Sequence, residues 1–267
     1  MLRAPAAPSH MTSVSYPADG HLACAEVDEA SFWYRHRNRC LIEALEAFPP
    51  AEPLFDIGGG NGAVAMALQR DGWRVALVEP IAEGAHHARR RGVTRVICAS
   101  LEECGLRDAS LPSAGLFDVL EHVPDDIAFL TRLRALLARD GRLYVTVPAF
   151  TALWSTHDDL VGHMRRYDAK TLSRRVEACG FTVEHVSYFF SPLPLMIFAL
   201  RTLPERLSRR VRETRITAPA RRMREHASHR PWLARAIETL LRFEPRAIRR
   251  KRAIPFGSSV LLVARAS

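Results

Sequence analysis

The run Leu54-Phe55-Asp56-Ile57-Gly58-Gly59-Gly60-Asn61-Gly62-Ala63-Val64-Ala65 restricts what this chain can fold into more than any other stretch. It reads as a short apolar strand, a glycine turn and the opening of a helix carrying Val64, Ala65 and Leu68. So tight a turn needs residues without a Cβ, because some positions take φ > 0 and the backbone must come close to a ligand. The helix behind it offers N–H groups and the positive end of its dipole to an anionic group. About twenty residues further on, Trp73-Arg74-Val75-Ala76-Leu77-Val78-Glu79-Pro80 reads as a second strand that closes on an acid. In nucleoside-binding βαβ units such an acid accepts hydrogen bonds from ribose hydroxyls. A nucleoside-containing cofactor is therefore expected, and the glycines alone leave open which one.

The rest of the chain repeats the strand-helix rhythm. Residues 29–48 read as a helix with Leu41, Ala44, Leu45 and Phe48 on one buried face, stopped by Pro49, Pro50 and Pro53. Its Phe32-Trp33-Tyr34-Arg35-His36-Arg37-Asn38-Arg39 cluster has two readings: packed aromatics with solvated arginines, or a lid that brings Tyr34 or Arg37 to the cofactor. Residues 82–91 read as a helix closed by Gly92, 94–99 as a third strand and 114–119 as a fourth. Asp126 is expected to cap a helix running through Leu137. Asp140-Gly141 makes a turn into a fifth strand, 142–147. Asp168 caps a further helix that stops at Gly180. Strands six and seven fall at 181–189 and 256–264. Helices alternating with strands in this way predict a parallel sheet covered on both faces.

At 267 residues, one large α/β domain with an elaboration is expected. Five scattered cysteines without a Cys-x-x-Cys pair argue against a disulfide framework or zinc site and for a reducing, cytoplasmic setting. No metal cluster is called for, and no Gly-x-Ser-x-Gly elbow supports a hydrolase triad. No apolar run reaches the roughly 18 residues that a membrane span needs. The formal charge of +9 is unevenly spread: residues 201–252 hold sixteen Arg and one Lys against five Glu. With the apolar Pro192-Leu193-Pro194-Leu195-Met196-Ile197-Phe198-Ala199-Leu200 ahead of it, this segment reads as a helical insertion. It is either a lid with a solvated arginine face or a peripheral contact with an anionic membrane. Nucleic acid is the weakest partner, since the Asp/Asn-Pro-Pro-Tyr block of nucleobase amino-methyltransferases is missing where Leu120-Glu121-His122 stands.

Gly58, Gly60 and Ala63 with Glu79 satisfy a relaxed dinucleotide fingerprint, so an NAD(P)-binding oxidoreductase is one reading. Asp56-Ile57-Gly58-Gly59-Gly60-Asn61-Gly62, Glu79 and Phe117-Asp118-Val119-Leu120-Glu121-His122-Val123 together resemble the class I S-adenosylmethionine (SAM)-dependent methyltransferases. The closest resemblance is to the group that holds small-molecule and quinone methyltransferases. Leu153-Trp154-Ser155, Gly162-His163, Arg165-Arg166-Tyr167 and Pro255-Phe256-Gly257-Ser258-Ser259 resemble one bacterial subset of that group. The resemblance implies a Rossmann-like seven-stranded sheet, mostly parallel with an antiparallel last strand. It implies that Asp56, Gly58, Gly59, Gly60 and Gly62 meet the methionyl part of SAM, and that Glu79 with Pro80 meets the ribose. Ser100 and Leu101 would flank the adenine, and Asp118, after the fourth strand, would be a further cofactor-binding residue. Ser100 departs from the family, which often carries an acid there.

Methyl transfer to a small-molecule or lipid-linked acceptor needs a base only where the acceptor must lose a proton, and histidine is the usual one. The candidates are His122, His157 and His163; Trp154, Arg166 and Tyr167 are the candidates for binding the acceptor, with Arg166 and Tyr167 alternatively anchoring the loop. The expected organisation is a tail and helical cap over 1–52, a SAM-binding core over 53–190, a basic helical insertion over 191–255 and a last core strand over 256–267. A SAM-fold binding protein without catalysis is the other alternative.

Overall fold

The computed structural model describes residues 32–191, 193–194 and 239–267. The expected tail lies outside them, as do residues 192 and 195–238 of the expected basic insertion. Helix α1 (Phe32–Ala47) leads into strand β1 (Leu54–Ile57), which passes through the glycine turn into α2 (Ala63–Arg70). There follow β2 (Val75–Val78), α3 (Ala82–Arg91), β3 (Val96–Ile97) and β4 (Leu111–Phe117). A 3-10 turn at Leu120–His122 precedes α4 (Asp126–Leu136) and β5 (Leu137–Pro148). Then come the short α5 (Thr156–Leu160), α6 (Ala169–Ala178), β6 (Phe181–Phe189), α7 (Phe243–Arg249) and β7 (Ser259–Ala266).

The seven strands form one sheet in the order β3-β2-β1-β4-β5-β7-β6. β1 pairs in parallel with β2 and β4, and β4 with β5. β7 lies antiparallel between β5 and β6, as the resemblance implied. Side chains along a strand alternate between its faces, so each strand feeds two cores. Leu54, Leu77, Tyr144, Leu261 and Val263 face the layer of α1, α2 and α7, where Leu41, Leu45, Leu68 and Ile248 meet them. Phe55, Ile57, Val78, Leu143 and Leu262 face α4 and α6, where Leu130, Leu133, Leu172 and Val176 close the other side. Burial of one such aliphatic side chain contributes about 1.5–3 kcal/mol.

Several expected boundaries move. The third strand shrinks to two paired residues, because at the edge of the sheet only Leu77 and Val78 of β2 offer it a partner. The fourth begins earlier, at Leu111, which pairs with Leu137 ahead of the Asp140-Gly141 turn. The helix cap is Asp125, whose carboxylate accepts from the Ala128 N–H at 2.9 Å. Asp126 instead turns inward, where it accepts a hydrogen bond from the Tyr167 hydroxyl at 2.7 Å and pairs with Arg165 and Arg175. Among the described residues no helix is long and apolar enough to cross a membrane.

Candidate active site

The site lies at the C-terminal ends of the parallel strands, the edge at which open α/β sheets bind ligands. β1 delivers Asp56 on the same face as Leu54, and the chain then bends through Gly58, Gly60 and Gly62, whose φ angles are 72°, 54° and 77°. A Cβ on Gly58 would sit 3.1 Å from the Val119 side chain, so the turn is pressed against the tip of β4. Glu79 leaves the end of β2 and reaches under the turn. Its Oε2 accepts from the Gly60 N–H and its Oε1 from the Ile81 N–H, both at 2.8 Å. The expected ribose acid is thus also the brace of the glycine turn, and each of its oxygens keeps a second lone pair.

The crevice gathers acids. Asp56 is fully buried, and neither carboxylate oxygen has a hydrogen-bond partner of ordinary geometry among the described residues. Burial pushes it up to about 7; Arg37 and the Ala65 N–H pull the other way, while Glu79 adds to the rise. Burial likewise raises Glu79. Glu121 is fully buried with both oxygens unsatisfied, and burial together with repulsion from Asp118 holds it well above the usual carboxylate range. Asp118 stands at the tip of β4 with φ 59°, a left-handed geometry rare outside glycine. It accepts from the Thr146 hydroxyl at 3.0 Å and from Arg37 Nη1 at 2.6 Å. Arg37 is 7% exposed and paired with Asp118, whereas Arg35 and Arg39 are exposed, so the solvated reading of α1 holds for those two arginines and not for Arg37.

Beyond the 3-10 turn, His122 donates from Nδ1 to the Gly162 carbonyl at 3.3 Å with that tautomer, and its ring meets His163 edge-on at 4.8 Å. Burial lowers His122 to about 4, with His163 adding to the fall. Donor atoms of Glu121, His122 and His163 lie within 4.8 Å of one another; His157, on α5, is outside that group. Ser100 bonds to Glu103 at 3.0 Å and opens a turn, while the side chain of Leu101 packs into the core and Pro80 is exposed. Of the three residues expected at the acceptor, Tyr167 is 2% exposed and spent on Asp126. Arg166 is locked on Asp158, and Trp154 bonds Asp159 at 3.2 Å. For Tyr167 and Arg166 the anchoring alternative is the one their contacts fit. Sequence reasoning passed over Asp158 and Thr146. The Ser155-Thr156-His157-Asp158 spacing of a capping box was the available signal for the first; a lone strand threonine gave none for the second.

A family model described as a methyltransferase domain matches residues 31–186. The chain belongs to the methyltransferase-domain family. Its sheet order is that of the class I methyltransferase fold, and SAM is the cofactor of that class. Probable SAM-dependent methyltransferases of Mycobacterium tuberculosis are 26% identical over 165 residues, 61% of this chain and 60% of theirs. The match thus spans somewhat less than two thirds of those relatives. A ubiquinone biosynthesis O-methyltransferase of Xylella fastidiosa is 30% identical over 99 residues, 35% of this chain and 40% of that one. Among solved structures, a Thermotoga maritima SAM-dependent methyltransferase, titled a possible histamine N-methyltransferase, superposes with TM-score 0.53 at 19% identity. It covers 92% of this chain and 99% of its own. Geranyl diphosphate C-methyltransferase of Streptomyces coelicolor gives 0.50 at 16%, over 82% and 73%. The structural likenesses speak for the fold. An NAD(P)-binding oxidoreductase is set aside by the family match and by β7, antiparallel inside a sheet where the dinucleotide fold runs parallel.

The residues present fit SAM. Buried Asp56 has two unused acceptor oxygens, a Cβ on Gly58 would crowd the tip of β4, and Asp56, Glu79, Asp118 and Glu121 outnumber Arg37. A ligand carrying a sulfonium and an ammonium supplies the charge that such a crevice lacks.

Proposed function

We propose that this chain transfers the methyl group of SAM to a small-molecule acceptor. The observation that carries this reading is the meeting of the β2 acid with the glycine turn: Glu79 holds the Gly60 N–H at 2.8 Å beside the unsatisfied Asp56. Asp56 and the turn would hold the methionyl end, Glu79 the ribose hydroxyls, and Arg37, swinging from Asp118, the carboxylate. Bound there, SAM supplies an electrophilic methyl, so the protein's task is alignment, worth roughly 7–11 kcal/mol in well-oriented systems. The ubiquinone O-methyltransferase relative and the geranyl diphosphate enzyme support a small-molecule acceptor. Calorimetry with S-adenosylhomocysteine (SAH) and NADH tests the cofactor: binding of SAH alone supports the reading, and binding of NADH alone ends it. Labelled methyl transfer from SAM in cell extract separates an enzyme from a binding protein.

A second element of the reading is peripheral contact with an anionic membrane. The outward side of α7 and its approach exposes Leu240 at 57% and Phe243 at 49%, with Arg246, Arg249 and Arg250 exposed beside them. Apolar anchors flanked by arginines suit an anionic lipid surface. Co-sedimentation with phosphatidylserine vesicles at moderate salt supports it, and failure to sediment removes it.

A further inference from the structure

Residues 153–167 fold around one buried carboxylate, Asp158. Its Oδ1 accepts from His163 Nδ1 at 2.8 Å and from Arg166 Nε at 2.7 Å. Its Oδ2 accepts from Arg166 Nη2 at 3.0 Å, from the Ser155 N–H at 2.9 Å and from the Ser155 hydroxyl at 3.2 Å. Burial alone would raise Asp158, yet the hydrogen bonds from His163 and Arg166 outweigh it and hold the group well below the usual carboxylate range. Arg166 is itself pinned by donating from Nη1 to the Ala149 carbonyl at 2.9 Å. A cap, a cation and a strand-end carbonyl thus fix the position of one carboxylate to which a single imidazole is attached.

An ionised carboxylate only accepts, so the proton between Asp158 and His163 belongs to His163 Nδ1. In the neutral ring the lone pair is then on Nε2. Nε2 lies 3.8 Å from Glu121 Oε1, on the side of the cluster that leads to Asp118 and Arg37 and so to the glycine turn. His163 keeps 13% of its side chain accessible, whereas Glu121 keeps 1%. An imidazolium at His122 is opposed by burial, while one at His163 would sit against Asp158.

Resting on the methyl-transfer reading above, we propose that His163 takes the proton lost by a hydroxyl, thiol or amine acceptor, and that Asp158 is the positioning residue that fixes its tautomer. The acceptor's lone pair forms the new bond to the methyl carbon, the electron pair of the broken C–S bond stays with sulfur, and the acceptor's proton passes to His163 Nε2. The imidazolium keeps its Nδ1–H on Asp158 and afterwards returns the proton to solvent. An acceptor without a proton to lose would have no use for this arrangement.

Histidine-ring 15N NMR of the full chain with SAH bound tests this. His163 should be the Nδ1–H tautomer in the wild type; finding it as Nε2–H overturns the proposal, with no variant needed. Asp158→Asn should convert His163 to a mixture of tautomers, and an unchanged spectrum overturns the role of Asp158. The ring resonances of His185, on β6 and outside this loop, should stay in place in Asp158→Asn and serve as the folding control. Sinefungin carries an amine where SAM carries the transferred methyl. Exchanging SAH for sinefungin should move the His163 Nε2 resonance and leave that of His157 in place; an unmoved His163 would show that it does not face the methyl. In an extract where the wild type transfers labelled methyl, His163→Gln should lose about 10²-fold or more while still binding SAH, and undiminished transfer overturns the proposal. Absence of SAH binding in the wild type would instead sink the cofactor reading.

Discussion

Asp56 carries opposed demands: the fold buries it fully, and the site leaves its oxygens without donors. Its folded value of about 7 lies above the ordinary one, so the ligand-free fold is favoured while the group is protonated. That contribution is complete below the unfolded value and is lost as pH rises through about 7. Wild-type protein should therefore lose urea stability between about pH 5 and pH 8 more steeply than Asp56→Asn. Glu79 and Glu121 shift in the same direction and leave the variant a residual slope. Identical slopes would mean that Asp56 is ionised throughout. Glu79 braces the turn and, on the proposed reading, also meets the ribose. Glu79→Ala should weaken SAH binding by about 1.5–3 kcal/mol, roughly ten- to hundredfold in Kd by calorimetry. Unchanged affinity would leave it a brace only. Tyr167→Phe removes the hydroxyl from buried Asp126 and should cost about 1–3 kcal/mol of stability with SAH affinity unaltered; a matching loss of affinity would restore Tyr167 to the site.

At the scale of elements, two glycines of one turn do different work. A Cβ on Gly62 would sit 2.8 Å from Val93 Cγ2 and 2.9 Å from Ala88 Cβ, so this position lets α2 close on α3. Gly62→Val should lower stability by about 1–3 kcal/mol through overpacking, with strain at φ 77° added. Gly60→Val, although strained at φ 54° as well, should keep more of the wild-type melting temperature and lose SAH binding, because on the proposed reading its side chain would stand in the ligand's space. Equal losses of stability in both variants would deny that division. The elements that could be read from the sequence are those whose signals are local. The run 82–91 ends at Gly92, and 181–189 begins after Gly180, because those residues adopt φ of 98° and 85°. The place of Glu79 at the end of β2 was legible for the same reason: strand, turn and spacing are all nearby in sequence. β3 was overread because its length depends on what β2 offers at the sheet edge, and Asp126 was misread as a cap because its partners lie 41 and 49 residues away. Glu121 shows the limit most clearly, since nothing in Leu-Glu-His announces a carboxylate buried without a donor.

At the scale of the molecule, the two described ends of the chain are tied together. Glu244 of α7 is fully buried and accepts from His36 Nε2 at 2.8 Å, from the Phe190 N–H at 2.8 Å and from both the N–H and the hydroxyl of Ser191 at 2.7 Å. Trp33 stacks on Phe190 at 3.8 Å beside it. This knot fixes the helix that carries Arg37, the residue next to His36, beside Asp118. Glu244→Ala should cost about 3–5 kcal/mol, as removal of one partner from a buried charged network does. A loss below about 1 kcal/mol in urea unfolding would show that the knot is decorative. The position of β7 bears on how the chain assembles. It is the last described strand in sequence, yet it lies inside the sheet, and β6 borders β7 alone. During synthesis β6 must therefore wait, its hydrogen-bonding edges unmet, until β7 leaves the ribosome and slides in beside β5; over that interval the nascent protein exposes an open sheet edge that invites chaperones or mispairing.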